Sequence, residues 1–129
     1  MPQVTQQVSK LHYHRHSKTL DVWFADDLQV QFSAELLRVL SPSAEVRGHG
    51  TPQLVANKRD VAIRQILPVG QYAVRLVFDD GHNSGLYSWS YLRQLHEQRE
   101  PLWQDYLARL KAANAVRDAR VEIRFHSGI

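Results

Sequence analysis

The chain has no cysteine and a single methionine, and only 9% of its residues are aromatic. Without a thiol it cannot form disulfides, thiolate zinc sites or iron–sulfur ligation on its own. It also lacks a long apolar run. No window approaches the roughly eighteen apolar residues that a bilayer crossing needs, so no membrane association is expected. Residues 1–10 are polar and have no apolar core of the kind found in a signal peptide. They read as a flexible leader, and a cytoplasmic location is expected. No P-loop, dinucleotide fingerprint or Ser-His-Asp arrangement in recognisable context occurs. The acid pairs Asp26-Asp27 and Asp79-Asp80 fall at turns, where Asp is favoured for backbone reasons.

Charge is nearly balanced. The net charge is +3 and the isoelectric point about 9.4, with basic residues spread from Arg15 to Arg124 among acids. The densest run, His14-Arg15-His16-Ser17-Lys18, is short and lies at a turn. That distribution reads as a solvated surface, and a nucleic-acid partner is not expected.

What remains is a folded domain. A chain of 129 residues with 43% hydrophobic and 22% charged residues can bury about two-thirds of its unfolded surface. Leu11–His14 and Thr19–Phe24 read as a hairpin through His16-Ser17-Lys18, from alternation and β-branched or aromatic content. Asp26-Asp27 turns the chain into Leu28–Phe32. Ser33 is a helix N-cap for Ala34 to Leu40, with Glu35 at the positive end of the helix dipole, and Ser41-Pro42 stops that helix. After a Gly-His-Gly loop at 48–50, Val61–Leu67 reads as a strand ended by Pro68-Val69-Gly70. Tyr72–Phe78, nearly all apolar, reads as a central strand. Ser88 caps a helix running to about Glu97.

Pro101 marks the first residue of another helix. Leu102, Trp103, Tyr106, Leu107 and Leu110 form a stripe at helical spacing. This stripe packs on the domain or, where exposed, supplies an interaction surface from Trp103, Tyr106 and Leu110. Val121–Phe125 alternates and adds an edge strand. The fold class is α+β: a β-rich antiparallel meander with short flanking helices and an added C-terminal helix. The chain divides into the leader 1–10, a domain over 11–98, and a C-terminal part over 99–129.

Two words stand out: Ser41-Pro42-Ser43-Ala44-Glu45-Val46-Arg47-Gly48-His49-Gly50 and Gly81-His82-Asn83-Ser84-Gly85-Leu86-Tyr87-Ser88-Trp89. In this order, with two strands between them, they resemble the small N-terminal domain of the γ-butyrobetaine hydroxylase family. The resemblance covers Leu11 to Leu95. It implies a domain that precedes the catalytic domain of γ-butyrobetaine and trimethyllysine hydroxylases, that occurs free-standing in bacteria, and that is appended to some Mrp-type iron–sulfur carrier ATPases. It further implies a structural zinc site built from Cys-x-Cys-x-x-Cys in the first word and a histidine in the second. The matching positions here are Ser41, Ser43, Val46 and His82. One imidazole and two hydroxyls are a poor donor set for tetrahedral zinc, so that site is expected to be lost. The oxygenase chemistry belongs to a separate barrel domain with an iron-binding facial triad, so enzymatic activity is not expected either.

The histidines carry the remaining candidate chemistry. His12, His14 and His16 alternate, so on an extended strand all three share a face; two such imidazoles can share a metal, and His82 or His49 could approach them. Iron or zinc is what such a set would take, although no cofactor is required by the rest of the chain. The other account of His12 and His14 is a solvated hairpin face. His82 and His49 equally suit loop-shaping hydrogen bonds. Tyr87 and Trp89 read as anchors of a helix to the sheet, or as a binding hot spot if exposed. These readings converge on a non-catalytic accessory or interaction domain with an unidentified protein partner, linked through its fused relatives to metalloenzyme or iron–sulfur protein assembly. The alternative is a small histidine-based metal-binding protein.

Overall fold

A computed structural model describes residues 7–42 and 55–117. The expectations for Ser43, Val46, His49 and Val121–Phe125 fall outside those residues. Two three-stranded antiparallel sheets, each a simple meander, carry the fold, which is the α+β class expected. The first holds β1 (Val8–His14), β2 (Thr19–Phe24) and β3 (Gln29–Ser33), with β2 central. β1 takes in Val8, Ser9 and Lys10, which the sequence reading assigned to the leader. The β1–β2 turn places Lys18 at φ 57°, and the β2–β3 turn places Asp27 at φ 68°, a conformation that short polar residues tolerate best.

Helix α1 (Ala34–Val39) follows β3 directly, with Ser33 capping it by accepting from the Leu36 N–H at 3.0 Å. The second sheet holds β4 (Ile63–Val69), β5 (Ala73–Phe78) and β6 (Leu86–Ser88), with β5 central as its apolar run suggested. β4 passes through Pro68 instead of ending there. It lies at the sheet edge, and an edge strand tolerates a residue without an N–H.

Helix α2 (Trp89–Glu97) is capped by Ser88, which accepts from the Tyr91 N–H. Helix α3 (Arg99–Ala112) begins one residue later, and Gln98 both ends α2 and opens α3. Pro101 is therefore the third residue of α3, not the first. Its ring would collide with the Glu97 carbonyl in one continuous helix, which accounts for the break at Gln98. Within the first turn of α3 its missing N–H costs nothing, because those groups have no intrahelical acceptor.

The inner faces of the two sheets meet in one core. Leu20, Val22, Phe24 and Phe32 from the first pack with Val74, Leu76, Phe78 and Tyr87 from the second, and Leu37, Leu92 and Leu95 close it from the helices. Burying each of these side chains contributes about 1.5–3 kcal/mol. The Ile63 N–H donates to the Tyr13 hydroxyl at 3.0 Å, which ties β4 to β1. A buried carboxylate fastens the C-terminal part: Glu35 accepts from the Tyr106 hydroxyl at 2.8 Å and from Arg117 through Nε and a terminal nitrogen at 2.9 and 2.8 Å.

Candidate functional site

The Ser41 hydroxyl is buried and lies 2.9 Å from His82 Nε2. His82 is held by its backbone as well: its N–H donates to Asp80 Oδ1 at 3.1 Å, and its carbonyl accepts from Phe78. Gly85 closes the contact. A Cβ there would come within 2.4 Å of the Ser41 hydroxyl and 3.0 Å of the Tyr87 ring. Tyr87 and Tyr91 reach across and donate to the carbonyls of Leu37 and Leu40 at the end of α1. The imidazole thus meets a hydroxyl where a thiolate would be needed. The residues here do not fit zinc, and hydrogen bonds and packing hold the turn.

Asp80 is the electrostatic centre beside it. Burial opposes its charge, but Lys58 at 2.6 Å, the His82 N–H and Arg38 at 2.7 Å outweigh that and hold the carboxyl at about 2. Asp79 bonds to the Ala62 backbone. Both acids therefore serve the turn.

His12 and His14 do share one face, with ring centroids 4.6 Å apart. Register sets them opposite Asp21 and Thr19. His14 Nε2 lies 2.7 Å from Asp21 Oδ2, and Gln31 donates to Asp21 Oδ1 at 2.8 Å. These two contacts, the His14 one first, hold the Asp21 carboxyl below its ordinary range. Among the described residues, no three His, Cys, Asp or Glu side chains are placed to hold a metal. His82 and His14 each have a different neighbour, so these two calls are not brought into one site.

Three of the residues expected to supply an interaction surface are buried. Tyr106 and Leu110 lie on the buried side of α3 and Tyr87 is fully buried, so none of them presents a surface. Packing on the domain wins because the stripe closes over α1 and Glu35. Trp103 is partly buried, its ring 5.1 Å from that of Tyr106 and under the Arg117 guanidinium. Trp89 anchors α2, donating from its indole to the Gln71 carbonyl at 2.9 Å.

Among the described residues, exposed apolar side chains gather on the outer face of the second sheet, with Val116 exposed apart from it in sequence. Register aligns Leu67, Arg75 and Leu86 across the three strands, and Leu67 is 39% and Leu86 46% exposed. Val69, opposite Ala73, is 37% exposed, and Tyr72 in the adjoining turn is 62% exposed. Arg75 stands in the middle of this face. It makes no hydrogen bond or ion pair with the described residues, whereas Arg38, Arg93 and Arg117 are each paired with a carboxylate. Sequence reading missed this face. The available signal was one arginine inside an apolar strand, which marks the side turned away from the core.

The model of the gamma-butyrobetaine hydroxylase-like N-terminal family matches residues 11–93. The chain belongs to this family. Its fold is also similar to solved structures. One protein solved by NMR in solution is 49% identical over 98% of both chains, with a TM-score of 0.79. A second NMR structure is 44% identical, covering 94% of this chain and 97% of that one, with a TM-score of 0.77. A crystal structure of a protein of unknown function from Acidithiobacillus ferrooxidans, placed in the DUF971 family, is 35% identical, covering 73% of this chain and 97% of that one, with a TM-score of 0.63. No curated protein matches the chain. Among the described residues, no helix is long and apolar enough to cross a membrane.

Proposed function

We propose that the chain is a non-catalytic interaction domain acting in the cytoplasm, and that the outer face of the second sheet is its docking surface. The observation that carries this reading is the row Leu67–Arg75–Leu86 with Val69 beside it: exposed aliphatic side chains on one face of three strands, flanking a guanidinium that has no partner among the described residues. Single exposed apolar residues need no explanation, but a contiguous set marks an interaction site. Arginine set among apolar residues is a frequent energetic centre of protein interfaces. The occupant is a protein surface that presents a carboxylate within an apolar rim, since only an anion compensates Arg75 as water leaves.

A role in metalloenzyme or iron–sulfur protein assembly extends this reading by family likeness alone, and a shared fold does not fix a job. The test is quantitative recovery of partners from the native host with tagged wild type and with a Leu67→Asp/Leu86→Asp protein. The reading expects one protein enriched by the wild type and lost with the variant, whose fold is checked by circular dichroism. Equal recovery by both contradicts it.

A further inference from the structure

The free edge of β3 is a second surface, independent of the one above. The backbone bonds that flank the β2–β3 ladder fix its phase. Phe24 N–H donates to the Leu28 carbonyl and Ala34 N–H to the Lys18 carbonyl. Hydrogen-bonded and non-bonded pairs alternate along an antiparallel ladder. With the observed register, Val30 and Phe32 therefore turn their backbone groups toward β2. Gln29, Gln31 and Ser33 turn theirs outward. The Ser33 carbonyl starts α1, which leaves its N–H and both backbone groups of Gln29 and Gln31 facing away from the sheet. No described strand pairs with this side.

The edge opens into a groove. One hollow of ≈300 Å³ lies against Gln31, Ser33, Leu36, Arg99 and Trp103, and a neighbouring one of ≈400 Å³ against Gln29, Gln31, His96 and Arg99. Arg99 and Glu100 stand in the wall of both, and Glu97 in that of the second. The Arg99 guanidinium sits 4.9 Å over the Phe32 ring, and its Nε is buried without a hydrogen-bond partner. Neither of the two carboxylates in these walls pairs with Arg99. Glu100 accepts from Gln104 at 3.1 Å, and Glu97 lies 3.8 Å from Arg93. A guanidinium with one buried, unbonded nitrogen, beside backbone donors and acceptors that have no partner among the described residues, is an incomplete site. Edge strands left open in this way template a further strand.

We infer that β3 receives an extended peptide segment of a partner protein as a fourth strand, with an acidic side chain of that segment against Arg99. Main-chain bonds to Gln29, Gln31 and Ser33 supply the pairing. Leu36 and Trp103 receive an apolar side chain, and Arg99 selects the acidic one, which is the usual division of labour in strand addition.

The test uses a phage-displayed library of random linear peptides, selected on the full-length chain and then measured as synthetic fluorescent peptides by anisotropy. Selected peptides are expected to alternate and to carry Asp or Glu at one position. Arg99→Gln should weaken them about tenfold, the scale of one charge-assisted hydrogen bond. Gln31→Pro, which removes an outward N–H and leaves the β2 ladder bonds in place, should abolish binding. Amide hydrogen exchange of the wild type gives a reading that does not depend on any variant folding. The Gln29, Gln31 and Ser33 amides should exchange fast in the free protein and slow down with peptide bound. Four results would overturn the inference: no peptide selected, affinity unchanged in Arg99→Gln, edge amides already protected in the free chain by its own residues, or protection that grows with protein concentration through a second copy.

Discussion

The Ser41 hydroxyl faces His82 Nε2 at 2.9 Å across a gap that Gly85 keeps open. A hydroxyl–imidazole contact forms part of this turn, and the turn depends on a side chain being absent at position 85. Gly85→Ala would drive a methyl group into Ser41 and the Tyr87 ring, at a cost of about 1–3 kcal/mol, the usual range for overpacking. In a Ser41→Ala protein the same change should cost less, since only the Tyr87 contact remains. Urea unfolding of the four proteins of this cycle measures the coupling. Equal costs in both backgrounds would show that the two residues do not share the space.

Zinc and iron(II) should leave the melting temperature unchanged. A ligand that binds only the folded state must raise it. Among the described residues, His82 meets a hydroxyl and His14 meets Asp21, and no three His, Cys, Asp or Glu side chains are placed to hold a metal. A saturable upward shift with either ion, checked by metal analysis after gel filtration, would revive the histidine-based metal reading.

Glu35 joins three parts of the chain at once, through α1, Tyr106 of α3 and Arg117. Arg117→Ala should destabilise the fold by about 3 kcal/mol, because it leaves a buried carboxylate with only a neutral donor. Glu35→Gln keeps an acceptor for Tyr106 and should be milder. Denaturant midpoints that rank the two the other way would argue against this account of the anchor.

Asp80 sets an acid limit. Its carboxyl is held at about 2, below the ordinary 3.8. A depressed acid stabilises the fold fully above its unfolded value and loses that contribution as pH falls through the folded one. The difference in melting temperature between wild type and Asp80→Asn should therefore be constant above 3.8 and close progressively toward pH 2. A gap that stays open at pH 2 would assign the effect to another group.

Much of the fold was readable because local chemistry agreed with the tertiary outcome. Ser33 and Ser88 cap the helices that they precede in sequence, and the apolar run of β5 lies at the centre of its sheet. Pro101 was misplaced because Gln98 serves two helices at once, a geometry that no single cap residue signals. Ser41 and His82 were legible as neighbours only through the family words, since forty-one positions separate them. The His14–Asp21 contact depends on cross-strand register, which alternation alone does not determine. Tyr106 and Leu110 looked like surface candidates because a helical stripe reads the same whether it meets its own domain or another. The docking face went unseen for a related reason: Leu67 and Leu86 become neighbours of Arg75 only when three strands align.

The central claim is that this face of the second sheet binds another protein. The most direct measurement places a photo-crosslinking amino acid at Leu86 in the chain expressed in its native host, with the same residue at exposed Asp105 on α3 as the control. The account predicts a discrete crosslinked protein from position 86 that is absent from position 105 and that disappears when Arg75 is changed to Glu. No crosslink at 86, or the same adducts at both positions, would contradict it.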